Sequence, residues 1–128
     1  MEPIPEDVRQ FLDRSIESID QLEVLRVLGD DREAEWTAGQ LGEVVQADPA
    51  AVSGHVAALH ARGLLAAEKK GTDWVCRYGP RADLEPQVVR LLQCYRERPV
   101  SMIKLVYARA NDPLRSFADA FRLRGEGG

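Results

Sequence analysis

Hydrophobic positions along this chain recur at helical intervals, lapse into short alternating runs, and then become helical again. Between Pro5 and Ile16 the apolar residues Val8, Phe11, Leu12 and Ile16 form one stripe, which predicts a helix with a single buried side. Ser18 opens a second helix with Gln21 three residues on, a capping-box spacing. Ile19, Leu22, Leu25 and Leu28 supply its buried face, widened by Val24 and Val27. Gly29-Asp30-Asp31 ends it, and the acidic stretch to Glu35 reads as solvated. Trp36 reads as a short strand or a lid on the core.

A second capping box, Thr37-x-x-Gln40, predicts a short helix carrying Leu41, Val44 and Val45. Asp48-Pro49 pairs a capping residue with a proline suited to the first helical turn. It predicts a helix from there to about Ala61, with Val52, Val56 and Leu59 inward. Gly63 is the expected left-handed stop. The period then changes. Leu64 to Glu68 and Trp74 to Tyr78 read as two strands joined by a turn at residues 69–73, and Gly79-Pro80 breaks the second. Asp83 is the expected cap of a helix with Val88, Leu91, Leu92 and Tyr95 on one side. Arg98-Pro99 breaks or kinks it, and Val100, Ile103, Val106 and Tyr107 continue at helical spacing. Asp112-Pro113 repeats the cap-plus-proline start ahead of Leu114, Phe117, Ala118 and Phe121.

Composition changes this picture little. The 128 residues are 45% hydrophobic and 30% charged, which suits one globular domain. The expected division is residues 5–35 as N-terminal helices, 37–80 as a central unit and 83–124 as C-terminal helices, within a single domain spanning 1–128. No apolar run approaches the roughly 20 residues that cross a bilayer, and the start lacks a secretory pattern, so a cytoplasmic protein with no membrane association is expected. Cys76 and Cys94 are isolated, which points to small core residues rather than a disulfide scaffold, although a thiol sensor is a possible use.

Charge matters through its distribution. The net charge of −4 argues against nucleic acid at first. Residues 1–35, however, hold eleven acids against four bases, while the rest of the chain is slightly basic. A neutral-to-basic face is therefore available away from the N-terminus. The asymmetry also suits contact between an acidic N-terminal and a basic C-terminal segment, within or between chains.

The segment from Thr37 to Leu65 resembles the winged helix-turn-helix of the MarR and ArsR regulators, a bacterial-type DNA-binding unit. The resemblance rests on Val52-Ser53-Gly54-His55-Val56, then Leu59, then Gly63-Leu64, preceded by a short helix and followed by a hairpin with basic residues. It covers residues 37–80. It implies a mainly α fold with a small β-hairpin, in which the winged helix-turn-helix is flanked by an N-terminal helix and C-terminal helices. The implied function is a DNA-binding transcriptional regulator acting as a homodimer on double-stranded DNA, without a cofactor or metal.

By that resemblance the helix from Pro49 to Arg62 is the recognition helix, with Ala50, Ala51, Ser53, Gly54, His55 and Ala58 outward and Arg62 counted among its DNA contacts. Thr37, Lys69, Lys70 and Arg77 would meet phosphates. The base-reading positions depart from the usual arginine, glutamine, asparagine or threonine: only Ser53 and His55 can hydrogen-bond to bases. Readout through backbone and shape is one consequence. The alternative is a non-enzymatic winged-helix module that binds a protein partner. The expected dimer interface uses Phe11, Leu92, Tyr95, Leu114, Phe117 and Phe121, because paired half-sites multiply affinity.

Other chemistry is thinly represented. His55 and His60 are five apart, not the spacing of a helical metal pair, and either suits packing as well. Ser101-x-x-Lys104 matches part of a penicillin-binding motif, but no companion element accompanies it, so no enzyme activity is expected.

Overall fold

The computed structural model of the chain describes residues 4–110. Over that range it is mainly helical, with a small three-stranded antiparallel sheet. Two helices come first, α1 (Glu6–Ser15) and α2 (Ile19–Asp30). α1 buries Val8, Phe11 and Leu12, the stripe that its spacing predicts. At the corner, Ser18 Oγ accepts from the Gln21 N–H, as a cap should. The Gln21 amide oxygen reaches one residue further back and accepts from Glu17 N–H at 2.9 Å. The capping box is therefore displaced by one residue.

β1 (Trp36–Thr37) runs directly into α3 (Ala38–Val45). Here the capping box is complete: Thr37 Oγ1 accepts from Gln40 N–H at 3.1 Å, and Thr37 N–H donates to Gln40 Oε1 at 2.9 Å. α4 (Pro49–Ala61) follows a tight turn and starts with Pro49 in its first turn, but the Asp48 side chain makes no cap hydrogen bond. Val52, Val56 and Leu59 are buried, as expected. Gly63 ends α4 at φ +78°, its N–H donating to His60 O while Leu64 N–H donates to Leu59 O. That is a Schellman motif, with Leu59 and Leu64 both buried beneath it.

The hairpin is β2 (Ala66–Lys70) and β3 (Asp73–Arg77), joined by Gly71-Thr72. β3 is central, paired antiparallel with β2 on one side and with β1 on the other. This corrects the expected strand at 64–68 and the five-residue turn. Leu64 and Leu65 complete the helix stop and fill the core, so the strand begins only at Ala66. Gly71, at φ +65°, closes the hairpin in two residues, and Lys69 and Lys70 extend the ladder opposite Trp74 and Asp73.

α5 (Glu85–Glu97) buries Val88, Leu91, Leu92 and Tyr95. Its cap position is Leu84, not Asp83, because the Asp83 carboxylate is taken by Arg81 at 2.8 and 3.0 Å. α6 (Pro99–Ala110) begins at the proline that breaks α5. The residues at helical spacing along α6 do not share one buried side. Met102 and Val106 are buried, whereas Val100 and Tyr107 are 63% and 56% exposed. The helix carries apolar residues on two sides, and packing against α1 and α5 selects the side of Met102. Buried side chains from all six helices and from β3 form one cluster. No helix among the described residues is long and apolar enough to cross a membrane.

Candidate functional site

With Val52, Val56 and Leu59 turned inward, the opposite side of α4 carries small side chains. Ala50, Ala51, Gly54 and Ala61 are exposed, and Ser53, Ala57 and Ala58 are half-buried. A Cβ added at Gly54 would meet nothing within 4 Å. Packing therefore does not require glycine there, although glycine costs a helix interior about 1 kcal/mol relative to alanine. The outer surface of α4 is smooth and uncharged. Exposed Asp48 marks its beginning.

The two larger residues expected on this face lie toward α2. His55 is half-buried, with Nδ1 3.4 Å from Gln21 Nε2 and Nε2 3.9 Å from the Asp20 carboxylate. Arg62 donates to the backbone carbonyl of Ser15 at 2.9 Å and to Gln21 Oε1 at 3.3 Å, and it pairs with Glu17. Its guanidinium clamps the α1–α2 corner rather than facing outward. Sequence reading missed this network. Its one local signal was Gln21, read as a cap; burial of that amide makes it a hub joining Glu17, His55 and Arg62.

Lys69, Lys70 and Arg77 are all exposed, but they do not share a face of the hairpin. Alternation along a strand sends neighbours to opposite sides. Lys69 therefore lies with its partner Trp74 and with buried Cys76, whereas Lys70 and Arg77 lie on the other side with Glu68, Asp73 and Val75. The Trp74 ring is 6.1 Å from that of His60 on α4. Lys69 is thus the hairpin cation on the α4 side. Thr37 is half-buried at the start of α3, and its hydroxyl serves the cap as an acceptor, leaving its proton as the group able to donate elsewhere.

The residues expected at a dimer interface are placed differently from that expectation. Phe11, Leu92 and Tyr95 are buried in the chain's own core, because α1 and α5 pack against each other. Tyr95 Oη also donates to Glu23 at 2.6 Å. Leu114, Phe117 and Phe121 lie outside the described residues.

Burial pushes the Cys76 thiol up to about 11 and raises that of Cys94 as well, so both environments work against a reactive thiolate. Among the described residues, no group of three or more His, Cys, Asp or Glu side chains is arranged to hold a metal ion. Compared with family models, curated proteins and solved structures, the chain matches none.

Proposed function

We propose that this chain is a DNA-binding transcriptional regulator built on a winged helix-turn-helix, with α3 bracing α4 and the β2–β3 hairpin serving as the wing. One observation carries the reading: after α2 the order is strand, helix, helix, hairpin, with β1 closing the sheet and the Lys69 side of the hairpin turned toward α4. In this reading α4 enters the major groove, which admits one helix. Ala50, Ala51, Gly54 and Ala58 bring the α4 backbone close to DNA, and Ser53 is the side chain left to touch a base edge. Lys69, on the α4 side of the hairpin, and Thr37 contact phosphates, while Lys70 and Arg77 add charge on the other side of the wing. Affinity then rests on backbone charge and groove shape more than on base contacts. His55 and Arg62 act indirectly, by fixing α4 against the α1–α2 corner. The regulator works as a cytoplasmic homodimer, through surfaces other than Phe11, Leu92 and Tyr95.

A second reading has a specific observation in its favour. An outer helix face of alanine and glycine, with no charge to match phosphate, also suits close contact with another protein's apolar surface, which makes the chain an interaction module. The Lys69→Glu/Lys70→Glu double variant separates the two. In a DNA titration the regulator loses binding by at least tenfold, with Lys69→Glu alone accounting for the larger share. Unchanged affinity in the folded double variant contradicts the wing assignment and favours the protein-binding reading.

A further inference from the structure

The chain has two histidines, both on α4, and their partners set the two rings in opposite roles. His60 Nδ1 lies 3.4 Å from the backbone carbonyl of Leu65. A carbonyl only accepts, so this nitrogen carries a proton, and it donates whether the ring is neutral or charged. His55 Nδ1 instead faces Gln21 Nε2 at 3.4 Å, and an amide nitrogen only donates. The charge state of His55 therefore matters to its contact in a way that of His60 does not.

Gln21 has no freedom to adapt. It is only 2% exposed, and its Oε1 accepts from Glu17 N–H at 2.9 Å and from Arg62 at 3.3 Å, which uses both lone pairs of the oxygen. Turning the amide over would set its nitrogen against those two donors. Groups other than His55 thus fix the amide, and neutral His55 must leave Nδ1 bare and carry its proton on Nε2. That proton looks toward the carboxylate of Asp20, the residue before Gln21 on α2, with His55 Nε2 3.9 Å from it.

We propose that His55 is a two-position latch between α4 and α2, held by Gln21 when neutral and by Asp20 when protonated. A proton on Nδ1 sets N–H against N–H and breaks the Gln21 contact, and the positive ring then moves onto Asp20. Arg62, a cation bound to the same amide, adds repulsion on the Gln21 side, partly offset by its pairing with Glu17. The other elements packed on α4 carry Glu43 on α3, Glu68, Lys69 and Lys70 on β2, and Asp73 and Arg77 on β3; among the described residues none of these pairs with His55. An imidazole ordinarily changes charge between about pH 5 and 8, so mild acidification works the latch. His55 adjoins Ser53 and Gly54, so its change of partner alters how α4 presents its outer face, whether that face meets DNA or a protein.

NMR of the full chain with labelled histidine and glutamine side chains tests this. At about pH 8 the two rings should be opposite tautomers, His55 protonated on Nε2 and His60 on Nδ1, with a nuclear Overhauser contact between the Gln21 amide and the His55 ring. At about pH 5.5 that contact should weaken by about threefold or more, while the contact between the His60 and Trp74 rings persists. In Asp20→Asn, a change of the same size at a half-exposed side chain, the same loss should need a lower pH. A His55 ring protonated on Nδ1 at the higher pH overturns the tautomer on which the latch rests. A Gln21–His55 contact equally strong at both pH values overturns the switch itself. An unaltered pH response in Asp20→Asn overturns Asp20 as the second position.

Discussion

The Arg62 guanidinium at the end of α4 donates to the backbone carbonyl of Ser15 at the end of α1, across 2.9 Å and 47 residues of sequence. The contact ties the candidate reading helix to the N-terminal corner, and Gln21 and Glu17 complete the clamp. A cation that the resemblance assigns to DNA thus has partners within the fold on both α1 and α2.

Removing that clamp should therefore act on stability before binding. Arg62→Ala leaves the Ser15 carbonyl and the buried Gln21 amide without their charged donor, a loss of about 1–3 kcal/mol. Urea unfolding should show the midpoint falling, while DNA affinity measured well below the Tm stays within about threefold of the parent. Unchanged stability together with lost DNA binding would return Arg62 to the interface.

Two glycines should respond in opposite directions. Gly63 sits at φ +78°, and a Cβ there would lie 2.8 Å from Arg81 Cδ, so Gly63→Ala should cost about 1–2 kcal/mol. Gly54 lies mid-helix with open space around it, so Gly54→Ala should stabilise by up to about 1 kcal/mol. Thermal melts of the two variants give the signs directly. If Gly54→Ala melts higher yet binds DNA more weakly, close approach of the α4 backbone explains the glycine.

Alkaline unfolding should be set largely by two phenols. Burial, reinforced by hydrogen bonds to Glu85 and Glu23, pushes Tyr78 and Tyr95 up to about 12 from an ordinary 10. A folded-state value above the unfolded one means the contribution is fully present below pH 10 and is lost as pH rises toward 12. Burial alone would raise Glu23, but hydrogen bonds from Arg26 and Tyr95 outweigh it and hold the carboxyl below its usual value. Its contribution is therefore lost on the acid side, as pH falls through that lowered value. Denaturation midpoints across the alkaline range should fall steeply for the parent and less steeply for Tyr95→Phe. Parallel curves would remove Tyr95 from the account.

The local parts of this molecule were legible in its sequence and the non-local parts were not. The Thr37–Gln40 box and the Gly63 stop depend on residues within a single turn, so spacing suffices to find them. The first hairpin strand begins two residues later than expected because Leu64 and Leu65 look like strand residues, yet they serve the helix stop and the core. The buried side of α6 was not legible because a helix with two apolar sides does not say which side its neighbours will cover. The contacts of Arg62 and His55 were not legible for the same reason: their partners lie 34 to 47 residues away, where no local pattern records them. Phe11, Leu92 and Tyr95 were recognised as apolar anchors, but the sequence carries no mark distinguishing a core from an interface between copies.

The most direct test of the central proposal is fluorescence anisotropy of the full chain against mixed DNA fragments, including the sequence upstream of its own coding region, at about 50 and 200 mM salt. A winged-helix regulator should prefer one fragment over the others at both salt concentrations, with an affinity that falls as salt rises. Absence of binding even at the lower salt would contradict DNA recognition by this chain and leave α4's alanine face to a protein partner.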